Sequence, residues 1–137
     1  MRTLLILSAA IAVLATVSAE AGPREALLDK FAILAKASDP GFTGFSASRG
    51  ENLSLTMFSQ GKSETPSCTT CHTASPLKMG ATRAGKPIEP MAVSVTPDRY
   101  TDPKKVAKWF RRNCKSVLGR ECATLEKGDF LTFMISQ

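Results

Sequence analysis

Three residues in a run of five carry the most specific chemistry in the chain. Cys68 and Cys71 stand three apart, and His72 follows at once. On a helical turn, positions i, i+3 and i+4 share a face. Two thiols on one face can both reach the vinyl edge of a single porphyrin and form thioethers. The imidazole on that face can then give a nitrogen to the iron. A thioredoxin-like redox pair has no use for the adjacent His72, and no βαβ pattern surrounds the run. A four-cysteine zinc site would have to recruit Cys114 and Cys122, whose separation of eight is wrong for a zinc knuckle. The run therefore predicts one covalently attached haem c, with Cys68 and Cys71 as attachment points and His72 as proximal iron ligand.

Such a haem is attached outside the cytoplasm, and the start of the chain is consistent with export. Arg2, an apolar run from Thr3 to Val17 and the small residues Val17-Ser18-Ala19 predict a signal peptide over residues 1–19, with cleavage after Ala21 as the competing choice. Residues 20–137 then form one small domain, expected in the periplasm and without a transmembrane segment after cleavage. That compartment permits disulfides. With two of the four cysteines committed to haem, Cys114 and Cys122 remain as a candidate pair. A bridge there would close a short loop and contribute about 2–3 kcal/mol. The formal charge is +6 and falls to about +5 when Arg2 leaves. Basic residues cluster at Lys104, Lys105 and Lys108 and at Arg111, Arg112 and Lys115. Nucleic acid is not an expected partner of an exported haem protein. A solvated helix face is the plainer account of these clusters, and an acidic redox partner the functional one.

The elements that must position the haem turn are helical. Pro23 opens a helix with Glu25 in its first turn; Leu27, Phe31 and Leu34 recur at i, i+4 and i+7, and Ser38 to Gly41 stops it. A second helix is expected from Ser48, with Glu51 completing a capping box and Gly50, Leu53 and Met57 on one face. A glycine on that stripe marks close approach of another helix. From Thr73 to Tyr100 the chain is irregular and rich in Gly and Pro, long enough to be a functional segment that wraps the haem. A third helix starts at Pro103 and places Val106, Trp109, Phe110 and Asn113 at i, i+3, i+4 and i+7 before Gly119 ends it. A last helix runs from about Leu125 to Ser136. No strand is expected. The result is an all-α, class I cytochrome c-like fold around one haem, which itself completes a thin core.

The sixth iron ligand decides what such a protein does. His72 is the only histidine, so bis-histidine ligation is excluded. Methionine is the usual partner in electron-transfer cytochromes c. Met57 and Met134 belong to helices, so Met79 and Met91 in the wrapping segment are the candidates. Asn113 competes, because a carboxamide on an apolar stripe must find a partner. On spacing alone, local backbone satisfies it.

Four stretches resemble the sphaeroides haem protein family of monohaem cytochromes c. They are Thr65 to His72, Thr82 to Lys86, Thr96 to Asp102, and Arg112 to Cys122. Together with their order and spacing they cover about half of the chain, and the Arg-Asn-Cys to Cys run is the specific part. The resemblance implies a class I cytochrome c fold with Asn113 as distal ligand and a Cys114–Cys122 disulfide beside it. It further implies that Asn113 is lost on reduction, so that the ferrous iron takes oxygen or another small diatomic ligand, fed by another cytochrome as electron donor. Met91 stands where the family's archetype carries a leucine. The alternative is an electron carrier with His72 and Met91 as ligands. A weaker third reading is a catalyst of oxygen or nitrogen-oxide reduction.

Overall fold

Helix α1 (Pro23–Ser38) begins with proline at a position where its missing N–H is no loss, and Glu25 and Lys36 sit at the ends that match the helix dipole. It opens the part of the chain, residues 22–137, that the computed structural model describes. The signal peptide expected over residues 1–19 lies outside the described residues. Leu27 and Ala35 are the buried side chains of α1, which packs against the last helix, α5 (Thr124–Ser136).

The second helix, α2 (Ala47–Leu55), does not start at Ser48 as its capping pattern suggests. Its N-cap is Ser46, whose hydroxyl accepts the Arg49 N–H at 3.2 Å. The cause is tertiary. The Ser46 N–H donates to Asp129 Oδ1 of α5 at 2.7 Å, and Arg49 reaches the two oxygens of the same carboxylate at 2.6 and 2.8 Å. Asp129 is only 3% exposed, so its charge is buried with partners in place. Gly50 does mark a close approach: a Cβ there would run into the Asp129 carbonyl. Met57, expected on the inner face of α2, falls beyond the helix end and is 69% exposed.

Helix α4 (Pro103–Leu118) follows the short helical turn α3 (Thr69–His72) and keeps the ends expected of it. Asp102 accepts the N–H groups of Lys104 and Lys105 at 2.8 and 3.1 Å, and Gly119 closes the helix in the left-handed region at φ 72°. Glu126 starts α5 by accepting the Ala123 N–H at 2.7 Å while Arg120 grips both its oxygens. The hydrogen bond and charge of Arg120 hold the Glu126 carboxyl below its ordinary range.

One expectation fails in detail. The segment from Thr73 to Tyr100 contains a minimal antiparallel hairpin, β1 (Gly80–Ala81) with β2 (Pro87–Ile88), in register Gly80 to Ile88 and Ala81 to Pro87. Its turn needs Gly85 at φ 74°. Strands of two residues leave no period-2 pattern to read.

The core is a chain of three clusters. Leu27, Val106 and Leu131 join α1, α4 and α5. Met91, Phe133 and Met134 fasten the wrapping segment to α5. Cys114, Val117, Leu118 and Cys122 form the third, at the end of α4. Phe110 links the first and third, meeting Phe31 and Phe130 edge to face at 6.5 and 5.7 Å. Among the described residues no helix is long and apolar enough to cross a membrane.

Candidate haem-binding site

The turn that carries Cys68, Cys71 and His72 is built locally. Buried Ser67 accepts the Thr69 N–H at 3.0 Å, and the His72 N–H closes the turn on the Cys68 carbonyl at 3.1 Å. This winding puts positions 68, 71 and 72 on one face, as their spacing requires. Thr73 then breaks it with φ 61° and ψ 166°, a conformation a β-branched residue adopts at a cost of about 1–3 kcal/mol. The chain turns back, and β1 lies on the turn so closely that a Cβ at Gly80 would strike the Cys71 carbonyl. Sequence reading missed this backing; the only signal for it is the glycine pair Gly80 and Gly85.

The donor set suits a haem better than a metal ion held by protein alone. His72 Nδ1 is buried without a hydrogen-bond partner, an orphaned polar atom on the turn that carries the two free cysteines. Burial, and then the charge of Arg99, lower the His72 pKa, so the imidazole is kept in the neutral form that ligation needs. Burial also pushes the Cys68 thiol up to about 11, away from the thiolate a zinc site would demand. Among the described residues no three His, Cys, Asp or Glu side chains converge on a common point. Cys68 and Cys71 are both free and half-buried.

The turn is pinned to the end of α4. Lys62 N–H and Thr65 Oγ1 donate to the Ser116 carbonyl at 2.7 and 3.2 Å. Gly61 and Gly119 allow backbone to lie on backbone there. Cys68 packs against the cluster of Cys114, Val117, Leu118 and Cys122, whose two sulfurs are bonded with Cα atoms 5.5 Å apart. Asn113 precedes Cys114 on α4. On the helix it falls between Trp109 and Val106, yet Val106 and Val117 are buried whereas Asn113 is exposed and Trp109 is 49% exposed. The apolar stripe of α4 thus extends past what the polypeptide covers. Leu77 and Met79, after the turn, are likewise uncovered apolar side chains. Met91 lies elsewhere, buried against Phe133 and Met134, with Tyr100 Oη donating to its carbonyl at 2.9 Å.

Residues 40–134 match the family described as a domain of unknown function, DUF1924. Over 91 residues the chain is 52% identical to cytochrome c-type protein SHP of Cereibacter sphaeroides, covering 66% of this chain and 70% of that one. The chain belongs to the sphaeroides haem protein family of c-type cytochromes. Oxidised SHP, described as an oxygen-binding cytochrome c, superposes with a TM-score of 0.72 at 44% identity over 80% of this chain and 96% of that one. Cytochrome c″ of Methylophilus methylotrophus is similar at 29% identity over 114 residues, 82% of this chain and 79% of that one. Its oxidised crystal structure has a TM-score of 0.73 over 84% and 94% of the two chains. A solution structure of the same protein, TM-score 0.72, was described as bearing on haem-ligand detachment. Membership of the sphaeroides haem protein family bears out the all-α cytochrome c architecture and haem c as the cofactor.

Proposed function

We propose that this is a periplasmic monohaem cytochrome whose distal ligand, Asn113, binds in the ferric state and leaves on reduction, opening a site for oxygen or another small ligand. Bound haem would supply a one-electron iron centre. Cys68 and Cys71 would hold it by thioethers, and His72 would give an imidazole nitrogen to the iron. The Asn113 carboxamide oxygen is a hard, weak donor that favours ferric over ferrous iron, so an added electron loosens it more than the His72 nitrogen. The bond between Cys114 and Cys122 limits how far the backbone at Asn113 can move. The Asn113 amide N–H groups would be available to donate a hydrogen bond to a small ligand. Electrons come from another protein, a cytochrome in this reading.

The observation that carries the proposal is Asn113 itself. It is a polar side chain on the apolar stripe of α4, uncovered by protein and next to the cluster that packs Cys68. The oxygen binding of SHP and the haem-ligand detachment of cytochrome c″ support it by similarity.

Asn113→Ala is expected to change the ferric optical spectrum strongly and the ferrous one little. Met91→Leu, a volume-conserving change in an apolar cluster, is expected to change neither. The reduced wild type should bind carbon monoxide. A reduced protein that ignores carbon monoxide, and whose spectrum follows Met91→Leu, would instead make it an electron carrier with His72 and Met91 as ligands.

A further inference from the structure

Helix α4 carries Lys104, Lys105, Lys108, Arg111, Arg112 and Lys115 and no acidic residue. All six side chains are exposed, and among the described residues none makes an ion pair. Of the chain's 18 cations these six leave twelve elsewhere, matched by its 12 acids. The whole net charge therefore resides on one helix. At 100° per residue the six fall within about 120° of the helix circumference, opposite Val106, Phe110 and Val117. Trp109 sits at the edge of this stripe, between it and Asn113. The Arg112 guanidinium and the Lys108 ammonium lie 5.1 and 5.8 Å from its ring centroid.

The arrangement works against the helix that bears it. Lys104–Lys108, Lys108–Arg112 and Arg111–Lys115 are like-charge pairs at i, i+4, each destabilising. Lys104 and Lys105 occupy the first turn, where the helix dipole disfavours cations. Asp102 at the N-cap offsets the charge of Lys104 and Lys105 only, and no ion pair among the described residues reaches Lys108, Arg111, Arg112 or Lys115; an external anionic surface would relieve their repulsion.

We propose that this face of α4 docks an acidic electron-donor protein, a proposal that rests on the haem reading above. The stripe borders Trp109 and Asn113, so a protein seated on it stands beside the part of α4 next to the haem turn. Val106, Val117 and Leu118 of α4 are buried in the core, and the one large apolar side chain the helix leaves exposed is Trp109, too small a surface to hold the helix in a lipid bilayer. A charged stripe with one flat aromatic at its edge fits a small, steered encounter surface.

The test is stopped-flow reduction of the ferric holoprotein by reduced flavodoxin, an acidic carrier, with a neutral hydroquinone as the control reductant. Wild-type reduction by flavodoxin should slow by about tenfold or more between low and high salt. Lys105→Glu, Lys108→Glu and Arg112→Glu together should produce a similar loss at low salt, abolish the salt dependence and leave hydroquinone reduction unchanged. The milder pair Lys108→Gln and Arg112→Gln should fall between. Equal rates and salt dependence in wild type and variants would overturn the docking face. Binding to phosphatidylglycerol vesicles without a salt-dependent flavodoxin rate would overturn it in favour of a membrane surface. Trp109 is the only tryptophan, so its single indole N–H resonance reports docking independently of electron transfer. A shift on adding flavodoxin that vanishes in the variants supports the face even if hydroquinone fails to reduce the protein, a failure that would count against the haem reading instead.

Discussion

Two joints hold this molecule together, and they are built on opposite principles. At the first, α2 lies on α5 with Gly50 against the Asp129 backbone and Gly128 against the Phe45 ring. The buried Asp129 carboxylate there has Ser46 and Arg49 as partners. The second joins the haem turn to the end of α4. It uses loop hydrogen bonds onto Ser116, sulfur packing and a disulfide, with no broad helix-to-helix face. It leaves His72 Nδ1 unpartnered and Asn113 uncovered. The polypeptide finishes the first joint alone, whereas the second leaves polar and apolar side chains without protein partners. Stability and ligand chemistry are thereby assigned to different parts of a small chain.

Breaking the first joint should have the larger effect. Gly50→Val drives a side chain into the α5 backbone, which cannot give way without separating the helices. We expect a loss of about 4 kcal/mol or more, read as failure to accumulate folded protein or a collapsed urea midpoint. A near-native midpoint would show that α2 can shift on α5 and that the two joints are more alike than described.

At the second joint, Cys114→Ser with Cys122→Ser should cost about 2–3 kcal/mol, the value for releasing a short loop in the denatured chain. The loss should appear in denaturation of the holoprotein, and the ferric spectrum should broaden as Asn113 loses its anchor. A stability loss with an unaltered spectrum would separate the disulfide from the ligand.

The smallest effect concerns the start of α5. Glu126 is held below the ordinary carboxylate range by Arg120, so its contribution is present above about pH 4.3, the unfolded value, and is lost as the pH falls through the lower folded value. Glu126→Gln should flatten the acid limb of stability against pH, with little change at pH 7 beyond that of one partly exposed pair. An unchanged acid limb would show that the pair adds nothing in solution.

The same contrast explains what could be read from sequence. The signal of the Cys68–His72 turn is local: five residues put Cys68, Cys71 and His72 on one face of a single helical turn, which the structure forms. So is the signal at the ends of α4, where Asp102 and Gly119 act on their nearest neighbours. The start of α2 was misplaced because Ser46 is chosen by Asp129, 83 residues away. The hairpin was invisible because its two strands are too short to show a period. Periodicity did put Trp109 and Asn113 on the apolar stripe of α4. It could not show that protein covers only part of that stripe, since coverage depends on what other segments reach.

The packing of Cys68 against Cys114 and Cys122 also bears on how the chain matures. Cys68 packs against a cluster that contains the bonded Cys114 and Cys122. A thiol beside a disulfide invites exchange, but only its thiolate attacks. With the Cys68 pKa pushed up to about 11 by burial, that thiolate is scarce at neutral pH.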